Sequence, residues 1–440
     1  MPTVWLPFPP LTIPQTVCTF GSRMAKLVMN AAVNPPGPAT RPEKSYDLAI
    51  AAAVIAGACT FLNVYCTQPL LPFFQQVFHA SEIAVSLTVG AVTLSVAITA
   101  PVIGLLAETF GRKKVIVPAL FAMAISTLLA ATAQSLHALI LWRFVQGLFV
   151  PGVIAVMMAY INEEFTGRAG TVMAAYVAGT VFGGFLGRFL AGLIATHGNW
   201  RATFAVLGAL DLLGALLVRR WLPLAVHFVP AGHVFKSLRD AWGHLRNPRL
   251  LAIYGMGFAV LFSLVGVFTY SNFHLAQPPF GLSPAGLGSV FFVYLLGCVV
   301  TPLSGRFLDR HGFRRTTLLS VGMSLCGLGL TLAPSLPIII AGLALFSSGI
   351  FVAQTSATVL TGRIAGRARS AAAGLYVTFY YAGGSVGTAV PAWFWVHGGW
   401  PACIGLFAIA SAVILALGWT GGRSVPVATA PATPTRNSGV

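Results

Sequence analysis

The apolar positions of this chain gather into twelve stretches of about twenty residues, each bounded by short polar segments. In the first half they are 48–71, 83–106, 115–133, 136–160, 171–195 and 203–221. In the second half they are 250–275, 284–303, 316–332, 337–360, 371–396 and 402–419. A hydrocarbon layer about 30 Å thick is crossed by roughly 20 residues of helix, so each stretch is read as a transmembrane helix, numbered span 1 to span 12 in chain order. The expected fold class is all-α integral membrane, twelve transmembrane helices arranged as two six-helix bundles. The expected regions are a disordered cytoplasmic segment at 1–46, a first bundle at 47–221, a cytoplasmic linker at 222–249, a second bundle at 250–420 and a disordered tail at 421–440.

The segments outside the bundles add little chemistry. Residues 6–14 form a Pro-rich, weakly hydrophobic stretch, too short and interrupted to cross a membrane or to act as a signal peptide. Met24 and Met29 are alternative starts, and function is expected only from Tyr46 onward. The linker carries Lys236, Arg239, Arg246 and Arg249, which suits the cytoplasmic surface of a bilayer with anionic lipid. The tail is rich in Ala, Pro and Thr.

An internal repeat relates the two bundles. A shift of 200 residues lays Tyr176, Val177, Gly183, Gly184, Gly187, His197, Gly198 and Trp200 onto Tyr376, Val377, Gly383, Gly384, Gly387, His397, Gly398 and Trp400. A shift of 201 lays Gly104, Glu108, Gly111, Lys113 and Lys114 onto Gly305, Asp309, Gly312, Arg314 and Arg315. Two equivalent halves of this kind are related by an axis along the membrane normal, and their interface is where a transporter holds its substrate.

Composition agrees with the pattern, since 57% of the residues are hydrophobic and 8% are charged. A net charge of +17 would suggest nucleic acid in a soluble protein, but its distribution says otherwise. With the N-terminus inside, Arg201 is the one Lys or Arg in an outer segment, Arg143 and Arg188 lie within spans, and the other 23 fall on the cytoplasmic side. Both termini are therefore expected in the cytoplasm, and nucleic acid is excluded as a partner because no basic, aromatic-bearing soluble module is present. Cys18, Cys59, Cys66, Cys298, Cys326 and Cys403 form no Cys-x-x-Cys pair and read as small core residues. The nine histidines have no metal-ligand spacing, so neither metal nor cofactor is expected. No enzyme is expected either. Gly383-Gly384-Ser385-Val386-Gly387 matches the Gly-x-Ser-x-Gly elbow by coincidence inside an apolar helix, and Glu163-Glu164 sits in a short loop among basic residues.

Several motifs resemble those of the major facilitator superfamily. Gly104-Leu105-Leu106-Ala107-Glu108-Thr109-Phe110-Gly111-Arg112-Lys113-Lys114 follows span 2, and Gly305-Arg306-Phe307-Leu308-Asp309-Arg310-His311-Gly312-Phe313-Arg314-Arg315 follows span 8. In such loops the first glycine permits close helix approach, the second a tight turn, and the carboxylate accepts charge-assisted hydrogen bonds. Glu108 and Asp309, with Gly104, Gly111, Arg112, Gly305 and Gly312, are accordingly expected to latch the halves on the cytoplasmic side. Thr109 departs from the family's arginine. Arg143-Phe144-Val145-Gln146-Gly147 in span 4 resembles the family's Arg-x-x-Gln-Gly, whose arginine the resemblance associates with proton coupling. Span 5 carries Gly179-Thr180-Val181-Phe182-Gly183-Gly184-Phe185-Leu186-Gly187-Arg188 at the place of the antiporter motif, without its proline and with Arg188 for its last glycine. Tyr65-Cys66-Thr67-Gln68-Pro69, Gly183 to Arg188, Pro278-Pro279-Phe280-Gly281-Leu282-Ser283 and Tyr380-Tyr381-Ala382-Gly383-Gly384-Ser385 resemble the bacterial YnfM-like subgroup of drug/proton antiporter type.

The resemblance implies a secondary transporter in the bacterial inner (plasma) membrane, acting by alternating access on a small-molecule substrate, with proton-coupled efflux as the first reading. Uptake or uniport of a small polar or anionic metabolite is the alternative, and a membrane sensor the alternative outside transport. A monomer is expected, with the lipid bilayer and candidate coupling protons as its other partners. Coupling candidates are Arg143, Gln146, Arg188 and Asp211, the last being the one carboxylate deep in a span. Asp211 is expected to be structural, either paired with Arg188 or packed as an acid. Span 1 offers no acid. Cavity candidates are Asn63, Tyr65, Gln68, Tyr270, Asn272, Gln354 and Tyr380, and helix packing is assigned to Gly179, Gly183, Gly187, Gly383 and Gly387. Arg143 and Arg188, both roughly 10 Å inside the outer boundary, are expected to form one electropositive locus.

Overall fold

The structure, a computed structural model, describes residues 43–165, 167–197, 199–225, 243–365 and 369–421, with side chains described for all of these except 43–45, 104–110, 369 and 370. The expected disordered segment before residue 43, most of the linker and the tail after 421 lie outside the described residues, as do the side chains of Glu108 and Thr109. Among the described residues there is no strand.

Helices run over Glu43–Val64 and Leu71–Phe78 for span 1, with a 3-10 turn at Gln68–Leu70 between them. Spans 2 to 7 follow as Glu82–Phe110, Arg112–Ala131, Leu136–Glu164, Ala169–Ala195, Trp200–Trp221 and Pro248–Ala276. Span 8 opens as Pro284–Val290, passes through a 3-10 segment at Phe291–Leu296 and continues into Gly297–Leu330, which also holds span 9. Span 10 is Leu336–Ala365, and spans 11 and 12 share Arg369–Gly421. Ser81, Ser135, Asn199 and Ser283 start spans 2, 4, 6 and 8 by accepting a backbone N–H from inside the first turn.

Ten helical segments among the described residues are long and apolar enough to cross a membrane. Two of them, Pro284–Leu330 with 47 residues and Ala371–Gly421 with 51, are more than twice what one crossing needs. Each contains one glycine with a positive φ, Gly312 at φ 77° and Gly399 at φ 62°, where an L side chain would be strained. Divided there, the ten segments become twelve. Gly111, at φ 91°, makes the corresponding break between spans 2 and 3. Leu141, Trp393, Val396 and Ile409 are each more than half exposed. Such a surface is unfavourable in water and unremarkable against lipid tails, where every backbone group is satisfied within its own helix.

The repeat has a structural counterpart. A Cβ added to Gly183 or Gly187 of span 5 would strike the carbonyl oxygen of Ala58 or Leu62 in span 1, and one added to Gly179 would strike that of Val54. In the second half, Gly383 and Gly387 of span 11 lie in the same way against the carbonyl oxygens of Phe258 and Phe262 in span 7. Gly57 faces the ring of Tyr176, and Gly257 the ring of Tyr376. The contacts of Gly57, Gly183 and Gly187 repeat at the 200-residue shift, whereas that of Gly179 does not, its counterpart being Phe379. Gly305 does not follow its expectation: a Cβ there would meet nothing within 4 Å, so its helix makes no close approach at that point.

The halves meet along spans 2 and 11 and along spans 5 and 8, and the closest contacts lie toward one end. Gly90 lies against Thr388, Gly384 against Thr93, Gly192 against the carbonyl of Pro284, and Gly288 against that of Arg188. The amide of Ala285 donates to Thr196 Oγ1 at 2.9 Å. This is the end at which Arg201 is the one Lys or Arg, the end that the charge distribution leads one to expect outside. At the opposite end a Cβ added to Gly170, Gly362 or Gly374 would meet no described residue within 4 Å.

Candidate functional site

Span 1 is interrupted where Tyr65, Cys66 and Thr67 leave the helix. Pro69 has no N–H to give Tyr65, so the carbonyl of Tyr65 takes the amide of Gln68 instead, at 3.0 Å. Val64 thereby loses the amide that an unbroken helix would have sent it. Arg143 supplies the replacement: its Nη2 donates to the Val64 carbonyl at 2.7 Å and its Nε to the Thr88 carbonyl at 3.1 Å. Its Nη1 donates to Gln146 Oε1, and Gln146 Nε2 donates onward to Thr127 Oγ1. Arg143 is fully buried, and this set joins spans 1, 2, 3 and 4 around one guanidinium through neutral acceptors.

Two residues before the break, Asn63 donates from Nδ2 to Asp211 Oδ2, tying span 1 to span 6. Asp211 is buried, and its other oxygen, like Asn63 Oδ1, has no hydrogen-bond partner among the described residues. The expected pairing of Asp211 with Arg188 is not found.

Four residues after Val64, Gln68 accepts from Arg188 Nε at 2.7 Å and donates from Nε2 to Thr269 Oγ1 of span 7 at 3.3 Å. Arg188 Nη1 donates to the Gly184 carbonyl of its own helix at 2.5 Å. The guanidinium carbon stands 4.7 Å from the centroid of each of three rings, Tyr65 of span 1 and Phe291 and Tyr294 of span 8. An arginine rooted in the first half is thus enclosed by rings from both halves, an arrangement in which each ring face stabilises the cation. Tyr380 of span 11 stacks on Tyr376, meets Tyr381 edge-on and lies within electrostatic range of Tyr65 and Tyr294. Arg143 and Arg188 do converge on the span 1 break, but on different turns of it and through separate sets of acceptors.

The remaining expected residues divide. Tyr65, Gln68, Arg188 and Tyr380 are brought to the boundary between the halves, and Gln354 is half-buried on span 10. Tyr270 and Asn272 donate to carbonyls of their own half. Tyr270 Oη donates to the Thr388 carbonyl at 2.9 Å, and Asn272 Nδ2 to the Phe268 carbonyl at 2.6 Å, both within the second half. Phe291 and Tyr294 had no place among the expected site residues. They lie in a long apolar run whose 3-10 turn leaves no polar mark, and the aromatic repeat at 291 and 294 was the available signal.

In the loops after spans 2 and 8, Arg112 forms a two-pronged bond to Glu163, at 2.6 and 3.0 Å, and Asp309 accepts from Arg363 at 2.9 Å. Each joins its loop to the far end of the fourth span of the same half, with the positions of acid and base exchanged. Asp309 therefore bonds inside its own half in this conformation, not across to the other, and Glu108 lies outside the described side chains.

The model of the Major Facilitator Superfamily matches residues 53–388 and 275–438. The chain is 34% identical over 364 residues to the inner membrane transport protein YnfM of Escherichia coli (strain K12), covering 82% of this chain and 87% of that protein. It is 32% identical over 372 residues to an uncharacterized MFS-type transporter, YybF, of Bacillus subtilis (strain 168), covering 84% of this chain and 92% of that protein. Its fold is similar to the crystal structure of the nucleoside transporter NupG, with a TM-score of 0.71 at 13% identity, covering 85% of this chain and 98% of that one.

Proposed function

The chain belongs to the Major Facilitator Superfamily and is a secondary transporter, and from that premise we propose that it exports a small solute across a bacterial inner membrane in exchange for protons, with the solute seated beside Arg188. The observation that carries the location is the position of this one side chain. Its backbone belongs to span 5, its hydrogen-bond partner Gln68 reaches span 7, and two of its three enclosing rings belong to span 8. A solute in contact with Arg188 touches both halves, so its arrival and departure bias the packing of one half against the other. That is the requirement of alternating access.

Contacts at the outer end and open space at the other fit a state that faces the cytoplasm, the side from which an exporter loads. Both termini belong on that side. When the cytoplasmic ends close, Asp309 and Glu108 are the carboxylates available to bond across the halves, which requires Asp309 to exchange Arg363 for a partner in the first half.

Everted vesicles test the reading directly. With an acidified lumen, addition of an exported solute should raise the luminal pH. A solute that moves down its own gradient with no pH response would instead establish uniport. Right-side-out vesicles that accumulate the solute when acidified outside would establish uptake.

A further inference from the structure

Arg188 and Arg143 are both buried, and they are held in different ways. Arg143 donates from Nε, Nη1 and Nη2, all three, to acceptors inside the first half. Arg188 donates from Nε and Nη1, while Nη2 has no acceptor among the described residues although the side chain is only 3% exposed. Among the described residues no carboxylate is bonded to it. The two ion pairs between described residues are Arg112 with Glu163 and Arg363 with Asp309, both at the loop ends, and Asp211 is bound to Asn63. A buried cation balanced only by amide, carbonyl and ring faces leaves an unmet demand for negative charge.

The second half gives the contrast. At the repeat position Thr388 bonds to the Ser385 carbonyl of its own helix, and Gly90 of span 2 packs directly on it. The charge of Arg188 is thus an addition to one half, at the boundary, in place of a group that would have closed the helix contact.

We propose that Arg188 anchors the acid group of the transported solute, and that the solute is a small organic anion with an apolar, preferably aromatic, body. The inference rests on the transporter reading and names its substrate class. Nη2 supplies a charge-assisted hydrogen bond to one oxygen of a carboxylate. The faces of Tyr65, Phe291 and Tyr294 around the guanidinium, with Tyr380 nearby, offer apolar and edge-to-face contact to a ring beyond it. An acid group that also takes Nε displaces Gln68 Oε1, and so loosens the residue whose other end holds Thr269 of the opposite half. Binding and release of the anion are thereby linked to the outer contact.

The purified full chain in detergent is titrated with three matched panels, followed by intrinsic fluorescence and thermal shift. The anionic panel is benzoate, 4-hydroxybenzoate, salicylate and benzenesulfonate, the neutral panel is benzamide and benzyl alcohol, and the cationic panel is benzylammonium and benzyltrimethylammonium. At least one anion should bind, about tenfold or more tighter than its neutral counterpart, with that preference lost in Arg188→Gln and partly kept in Arg188→Lys. Tyr294→Leu should weaken the anion and its neutral counterpart alike, because it removes ring contact and not charge. Anion binding unchanged in a folded Arg188→Gln overturns the proposal, as does a cation bound as tightly as any anion, or no anion bound by wild type. If Arg188→Gln fails to fold, the comparison of panels on wild type and on Arg188→Lys decides. Proteoliposome flux of the same panels separates the two readings. Movement of neutral or cationic members with equal rates in wild type and Arg188→Lys leaves transport standing and removes the anion, whereas anion binding without flux of any member leaves the site and removes the transport cycle.

Discussion

Two buried polar groups beside the break in span 1, Arg143 and Asp211, each make a distinct prediction at the scale of the single residue. Arg143 replaces the hydrogen bond that Val64 loses and also holds Thr88, so its removal strands acceptors in an apolar interior. An unmet buried acceptor costs about 1–3 kcal/mol. Arg143→Lys keeps the charge but cannot span three acceptors in different directions, and we expect it to lower thermal stability in detergent by about 2 kcal/mol, on the same scale. A melting temperature equal to wild type would show that the bonds to Val64 and Thr88 do not hold the spans together. Asp211 is predicted to be structural. Asp211→Asn preserves an acceptor for Asn63 and should keep both fold and pH-coupled transport, while Asp211→Leu leaves the Asn63 amide stranded and should cost about 1–3 kcal/mol. Asp211→Asn protein that folds, moves solute downhill and no longer responds to a pH gradient would move Asp211 into the coupling machinery. The sequence marked both residues, because a charge in an apolar run is conspicuous. It did not say what they touch. Tyr270 and Asn272 looked like Gln68 in the sequence, yet each donates to a carbonyl of the second half, because a hydroxyl or amide near a helix carbonyl can be satisfied locally.

Glycine spacing decides how the elements pack. The carbonyl oxygen of Leu62 would lie 1.8 Å from a Cβ on Gly187, and that of Phe262 would lie 2.4 Å from one on Gly387. Backbone cannot yield by that much without separating the helices. Gly187→Ala and Gly387→Ala should therefore each lower stability or expression of the folded monomer by about 2 kcal/mol or more, whereas Gly170→Ala, with nothing within 4 Å, should leave it unchanged or slightly raised. Size-exclusion profiles of fluorescent fusions measure all three, and a normal profile for Gly187→Ala would mean that spans 1 and 5 are not packed as described. These contacts were legible because close approach admits only small residues, so the pattern of contact is written into the residue type at a fixed shift. The 3-10 segment at Phe291–Leu296 was not legible. A helix that changes from one hydrogen-bond register to another keeps its apolar composition, and it was this turn that carried Phe291 and Tyr294 to Arg188. In span 1 Pro69 announced the corresponding break, yet length alone suggested one continuous helix over 48–71.

At the scale of the whole molecule, the two halves are each held by their own ties, and among the described residues the contacts that join them gather toward one end. The bonds of Arg112 to Glu163 and of Arg363 to Asp309 stay within halves, so neither opposes a change in the angle between them. The contacts from Thr196 to Ala285, from Gly192 to Pro284 and from Gln68 to Thr269 do oppose it. A transporter that works by rocking its halves has to break these three in every cycle. Thr196 and Ala285 are close enough, with 2.9 Å between Oγ1 and the amide nitrogen, for a pair of cysteines to be bridged there by a disulfide or a short bis-thiol reagent. In a background without the native cysteines, Thr196→Cys with Ala285→Cys should transport when reduced, stop when cross-linked and recover on reduction. Cross-linked protein that also carries Gly374→Cys as a reporter at the opposite end should still be labelled there by thiol reagents from the cytoplasmic side, because the outer end alone is fixed. Reduced protein carrying Asp309→Ala should show the same access in a larger fraction of molecules, because a carboxylate needed for cytoplasmic closure has been removed. If the cross-linked protein transports at the reduced rate, the contacts at the outer end are not a gate, and the solute does not pass between the halves there.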